Sequence, residues 1–424
     1  MDGPVRRLLA GVLLACIAAN LVAAEVRVET TSNPNHGGKS SLWHLMHVES
    51  LDDLNCQLAG CVVDLTENHG CDHRFWSEAL GLPRDMYVYL PPGYDQNRAY
   101  PLFVWVHGFG GDEKQFTRQV VRALDQAIVS GALPPIIAAA PDVSLPCWWR
   151  PWYQGSWCIN GQHGSWEDYI IQDVLGFLTK LFKIRPEPEA HIIAGWSMGG
   201  FVAYNLGFKY PQHFRHLVGI YPNLNIRYSD RDGHWSKDFD PHNLGWIQDL
   251  RWGHCIGYYP KPYPFPVPAG IVYWPAWGHG DQAFPRMEQE NPYELLDRLN
   301  IRDGQFNLYI AYGRKDEYNV DAQVDSFLHK AKERGIDVWV RFNHIGHHSS
   351  PYVNECMPDV FVELGKSLRR LLPDLRPQAA ADCVPQSHNE ANADSTGVQQ
   401  VSAAHNHRSA CPDAVLILPS RGDR

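Results

Sequence analysis

The stretch Gly195-Trp196-Ser197-Met198-Gly199 constrains the fold of this chain more than any other. The apolar run from His191 to Trp196 reads as a buried strand, and Gly199-Gly200 followed by Phe201, Val202, Tyr204 and Leu206 reads as a helix. Between them Ser197 sits in a turn too sharp for an ordinary connection, the geometry of a nucleophile elbow. Glycines flank it because a side chain there would clash in the turn or hold strand and helix apart. A five-residue pattern gains meaning only if the rest of the chain supplies partners for the serine.

Partners occur in the order that such chemistry requires. Pro101 to Val106 is a continuous apolar run of strand length that empties into His107-Gly108-Phe109-Gly110-Gly111. In a glycine-rich loop of this kind the amide of Phe109 or Gly110 can turn inward and join that of Met198 in holding an oxyanion. One such donor is typically worth about 100- to 1000-fold in rate. Downstream, Phe306 to Tyr312 reads as another strand, ending at Gly313-Arg314-Lys315-Asp316. Asp316 is the expected acid, because open α/β sheets place working residues at the C-terminal edges of their strands. Glu317 and Asp321 are alternatives, and either can instead cap the helix outlined by Val320, Val324, Phe327, Leu328 and Ala331. A last strand, Asp337 to Phe342, delivers Asn343-His344-Ile345-Gly346-His347-His348-Ser349. One of these histidines is expected to be the general base that makes a serine nucleophilic. No spaced cysteine or carboxylate set accompanies the cluster, so no metal site is expected.

Taken together, Tyr87 to Tyr94 (YVYLPPGY), the His107-Gly108 loop, Ser165-Trp166-Glu167-Asp168-Tyr169, the elbow and Gly346-His347-His348-Ser349 resemble the Putative esterase family. That group includes feruloyl and acetylxylan esterases and S-formylglutathione hydrolases. The resemblance spans roughly residues 84 to 372. It implies an α/β-hydrolase fold, with a mostly parallel central sheet flanked by helices. It also implies ester cleavage through an acyl-serine, with no cofactor and with Ser197, Asp316 and His348 as the triad. His348 is favoured because it directly precedes Ser349 as in the family pattern. His347 is the runner-up, since the doubled histidine departs from the usual single one.

The remaining expectations concern compartment and substrate. Arg6-Arg7 precede an apolar stretch from Leu8 to Ala24 that ends Val22-Ala23-Ala24, the pattern of a signal peptide over residues 1–24. The chain is therefore expected to be secreted, with lipid anchoring through Cys16 as an alternative. Removing that segment leaves nine of the ten cysteines, and a Cys147–Cys158 disulfide is expected, worth about 2–3 kcal/mol. A formal charge of −10 with no basic run argues against nucleic acid as partner, and no integral membrane span is expected. Residues 25–82 read as an irregular N-terminal extension with a cysteine cluster, 83–372 as the catalytic domain and 373–424 as a disordered tail.

Two aromatic stretches stand out: Cys147 to Cys158, and a lid-like insertion over 223–292 that is too long for an ordinary connection. Ten of the fifteen tryptophans fall in or beside them. Flat rings suit a sugar or a phenolic acid, and Trp148, Trp149, Trp152, Trp196 and Trp274 are the candidate substrate-binding residues. The competing use of these rings is a private core for the insertions. The chemistry expected is hydrolysis of small-molecule or polysaccharide esters, acyl or feruloyl. A peptidase or polyester depolymerase on the same fold, and a non-catalytic carbohydrate-binding protein, are the alternatives.

Overall fold

The computed structural model describes residues 50–145, 155–234, 238–248, 250–251, 253, 255–259 and 265–375. The expected leader with Cys16, the tail beyond residue 375, Cys147, and the rings of Trp148, Trp149 and Trp152 lie outside the described residues.

Eight strands form the central sheet: β1 (Cys61–Leu65), β2 (Met86–Leu90), β3 (Leu102–Val106), β4 (Ile137–Pro141), β5 (His191–Trp196), β6 (His216–Ile220), β7 (Asn307–Lys315) and β8 (Trp339–His347). Their spatial order is β1-β2-β4-β3-β5-β6-β7-β8. β1 and β2 join antiparallel at one edge, and every pairing from β4 onward is parallel. Every residue of β2, β3 and β4 is buried, as a strand covered on both faces requires. The main helices are α1 (Val121–Val129), α2 (Leu175–Leu181), α3 (Met198–Lys209), α4 (Val320–Glu333) and α5 (Ser350–Leu371). α1 packs on α5, whose Phe361 ring meets Phe103 of β3 at 5.6 Å. α3 and α4 meet through Tyr204 and Phe327, with centroids 5.6 Å apart and rings nearly perpendicular. This is the α/β-hydrolase fold, and the strand order brings the C-terminal ends of β3, β5, β6, β7 and β8 to one edge.

Two expectations change at this level. Residues 61–65 are not irregular: Val62 to Leu65 pair with Met86 to Tyr89, so the sheet begins well before residue 83. Five residues with Asp64 among them carry too little alternation to announce an edge strand. The cysteines also differ from expectation. Cys158 is a buried free thiol, its titration pushed up to about 12 chiefly by burial, and no disulfide forms among the described residues. Its shielding comes from packing and from Ser156.

The insertion contains two small antiparallel pairs, Tyr228–Asp230 with Leu244–Trp246 and Cys255–Tyr259 with Phe265–Pro268, followed by short helices up to Arg298. Among the described residues no helix is long and apolar enough to cross a membrane.

Candidate active site

β5 ends at Trp196, and the chain reverses through Ser197 at φ 56°, ψ −115° before α3 begins. A left-handed φ is costly for a residue with a side chain. It is held here by the Ser197 amide donating to the Ile220 carbonyl at 2.8 Å, which ties the elbow to the end of β6. The glycines are required by proximity. A Cβ on Gly199 would lie 2.0 Å from the Val106 carbonyl oxygen, and one on Gly195 would lie 2.3 Å from the Gly199 carbonyl carbon. Strand, turn and helix cross so closely that only hydrogen fits.

The loop after β3 lies against the same serine. A Cβ on Gly108 would sit 3.5 Å from Ser197 Cβ and 3.3 Å from the Trp196 carbonyl. The Val143 amide donates to His107 Nε2 at 2.9 Å, so the ring carries its proton on Nδ1 and donates it to the Gly108 carbonyl, also at 2.9 Å. The Gly111 amide donates to that carbonyl too. In a trans peptide N–H and C=O point in opposite directions, so the Phe109 amide is turned away from those donors. The Gly108 amide is engaged by Gln115 Oε1 at 3.0 Å. Met198, fully buried, opens α3, where the first amides have no partner within the helix. Its amide and that of Phe109, the expected oxyanion donors, belong to the two segments that converge on Ser197.

Beneath His107 lies a buried ion pair, Arg84 with Asp142 at 2.6 Å. Burial alone would raise the Asp142 carboxyl, but the Arg84 guanidinium beside it holds it at about 2, so it stays charged. Arg84 also donates to the carbonyls of Asp142 and Ser144. The loop after β4, which leads into the first aromatic stretch, is fixed from below in this way.

β7 and β8 bring the acid and the histidines together. Asp316 is fully buried and works with both oxygens. Oδ1 accepts the amides of Tyr318 (2.7 Å) and Val320 (3.1 Å), capping the start of α4, and Oδ2 accepts Nδ1 of His348 at 2.6 Å. The His348 side chain is 6% exposed. Its ring is boxed by Tyr221 (4.9 Å between centroids), Tyr318 (5.0 Å) and Trp196 (5.7 Å), the last being the neighbour of Ser197. Of the competing residues, His347 is 52% exposed and bonds Glu317, and Asp321 lies buried beside Arg314. His344 is exposed, its ring edge-on to Phe342.

Three residues near this centre, Tyr221, Gly155 and Tyr318, were not foreseen, and a fourth, Glu317, was named only as an alternative acid or cap. Tyr221 has φ 46° and carries its hydroxyl into the space between Gly313 and Gly346, where Cβ atoms would come within 2.5 and 2.9 Å of it. Gly155, in the first aromatic stretch, separates the oxyanion candidates: its Cβ would fall 2.4 Å from the Phe109 ring and 3.1 Å from Met198 Sδ. Glu317 and Tyr318, directly after Asp316, complete the His348 surroundings. A lone glycine or tyrosine carries no sequence mark of such a role, whereas Glu317 was visible as an acid without a visible partner.

The tryptophans divide. Trp196 is 6% exposed, so its indole packs His348 and has little face left for a substrate. Trp274 is half-buried, and donates to the Leu250 carbonyl at 2.7 Å while its ring lies against His279. Trp157 and Trp277 are buried against each other, Phe201 and, for Trp157, Tyr273. For these two rings the private core is what the structure forms.

A protein named an esterase, from Mycobacterium tuberculosis, is 30% identical over 159 residues, covering 36% of this chain and 32% of the relative. An endo-1,4-beta-xylanase/feruloyl esterase from Xylanibacter ruminicola is 26% identical over 156 residues, 35% of this chain and 21% of that one. The matches thus span a third or less of these relatives' length. A solved structure titled ferulic acid esterase superposes with a TM-score of 0.51 at 15% identity, over 73% of this chain and 99% of its own, a likeness of fold. The family profile described as Putative esterase matches residues 77–355, from the segment between β1 and β2 to the first turns of α5. The chain belongs to the Putative esterase family.

Proposed function

We propose that this chain is an exported serine hydrolase of carboxylic esters, acting on acyl or feruloyl esters of carbohydrates. The observation that carries the reading is the Asp316–His348 hydrogen bond of 2.6 Å, with the His348 ring packed against the residue preceding an elbow serine. In this reading His348 Nε2 takes the Ser197 proton as Oγ attacks the ester carbonyl. Asp316, which accepts the Nδ1 proton, stabilises the imidazolium that results. The Phe109 and Met198 amides receive the developing oxyanion. His348 then gives its proton to the departing alkoxide oxygen, leaving an acyl-serine. Water, deprotonated by the same imidazole, attacks that acyl group and restores the hydroxyl.

Export is supported by the leader pattern over residues 1–24. The substrate class is supported by the printed name of the Xylanibacter relative and by aromatic insertions following β4 and β6. The test is an assay of the purified protein and of Ser197→Ala on p-nitrophenyl acetate, a feruloylated arabino-oligosaccharide, a peptide amide and a polyester. The reading expects turnover of the first two, preference for the feruloylated sugar, and loss of both in the variant by at least about 1000-fold. Preference for the peptide or polyester would replace the substrate class, and undiminished turnover by Ser197→Ala would remove the mechanism.

A further inference from the structure

The doubled histidine of Gly346-His347-His348-Ser349 meets a doubled acid. Asp316 takes His348, and Glu317 takes His347: Glu317 Oε1 lies 2.6 Å from His347 Nδ1. The other oxygen of Glu317 does something different. Oε2 accepts the backbone amide of His348 at 3.0 Å. His348 is thus held at two points by consecutive residues of one turn, its ring by Asp316 and its main chain by Glu317. The Glu317 side chain is only 9% exposed, while His347 keeps half its surface in solvent.

A histidine that must swing neither toward nor away from its serine needs more than a single hydrogen bond, which leaves the ring free to pivot about that contact. Fixing the amide removes the pivot, because Cα can no longer follow the ring. We propose that Glu317 is a positioning residue for His348, and that His347 acts through Glu317 by holding its carboxylate in the rotamer that reaches the His348 amide. This rests on the assignment of His348 as base in the proposed function. Neither Glu317 nor His347 takes part in bond making. The second histidine is then a strut, and the two acids have separate duties: one for the ring, one for the main chain.

The experiment compares Glu317→Ala, Glu317→Gln, His347→Ala and the double variant Glu317→Ala/His347→Ala, with Ser197→Ala alongside. All are assayed on p-nitrophenyl acetate, with rates referred to active sites titrated by a fluorophosphonate, or to protein concentration for Ser197→Ala. Glu317→Ala is expected to lower kcat roughly 10- to 100-fold with KM within about twofold, since what is lost is alignment rather than substrate contact. Glu317→Gln keeps an oxygen for the His348 amide, and is expected to recover most of that loss. His347→Ala is expected to lower kcat by less than Glu317→Ala, and the double variant to match Glu317→Ala, because His347 acts only through it. If Glu317→Ala does not fold, the Gln and His347 variants carry the same comparison. A kcat per active site that is unchanged in Glu317→Ala, no better in Glu317→Gln, or additively lower in the double variant would overturn the proposal while leaving the esterase reading intact. Full activity of Ser197→Ala would instead defeat the reading on which it rests.

Discussion

Individual residues at this site are selected by distances of a few tenths of an ångström. Gly199 shows this best: with the Val106 carbonyl 2.0 Å from where a Cβ would lie, Gly199→Ala must push β3 and α3 apart or turn the elbow. We expect Gly199→Ala to cost about 3 kcal/mol of stability or more, measured by urea unfolding, together with loss of turnover. A variant as stable as the wild type would mean that the elbow is looser than described. The same scale separates what could be read in the sequence from what could not. Strand patterning places Ser197, the acids after Tyr312 and the histidines after Phe342 at one sheet edge, whereas His348 is preferred to His347 only on the family pattern. The partition of two acids between two histidines depends on which carboxylate faces which ring, and no spacing rule encodes that. Asp316 also serves as the cap of α4, a role the sequence had offered to its neighbours. One buried carboxylate has oxygens enough for both tasks.

At the scale of elements, strands were legible and insertions were not. β3 and the middles of β5, β6 and β7 are apolar runs because both their faces are covered, whereas β1 is short and at the edge. Within the insertions tryptophan is ambiguous, since the same ring serves a cleft or a core. Trp157 and Trp277 are core: they meet Phe201 of α3 and so attach both aromatic stretches to the helix that follows Ser197. Trp277→Ala is accordingly expected to destabilise the protein by about 3–5 kcal/mol, read from urea unfolding, while KM for p-nitrophenyl acetate stays within about threefold. A large KM change with unaltered stability would place that ring in the cleft instead. Gly155 links the two roles, since its lack of a side chain lets the first aromatic stretch pass between Phe109 and Met198. That stretch thereby packs on the side chains of the two residues whose amides are the proposed oxyanion donors.

For the molecule as a whole, acid sensitivity follows from groups far from the site. His216 at the start of β6 is buried and neutral, donating from Nε2 to the Glu189 carbonyl and accepting from Asn307 at Nδ1. Burial, reinforced by Arg215 and Arg370, brings its titration down to about 4 from 6.5. Below about pH 6.5 the unfolded chain takes up a proton there that the folded chain refuses. Stability therefore falls as pH drops from 6.5 toward 4 and levels off below. Burial raises Asp85 to about 6 and Glu294 to about 7, which works in the opposite sense, so the signal belongs in a difference. Between about pH 7 and pH 4.5 the wild type is expected to lose roughly 2–3 kcal/mol more than His216→Gln, by urea unfolding at each pH. Equal losses would mean that His216 titrates normally.

Five strand ends from distant parts of the sequence meet at one edge, and each carries one component: the amide loop, the serine, Tyr221, the acid pair and the histidine pair. The central claim is that this edge makes Ser197 the nucleophile. The most direct measurement is to label the protein with a fluorophosphonate and map the adduct by peptide mass spectrometry. The account predicts one adduct per chain, on Ser197, which is absent in Ser197→Ala and slowed at least about 100-fold in His348→Ala. An adduct on any other residue, or labelling of Ser197→Ala at the wild-type rate, would contradict it.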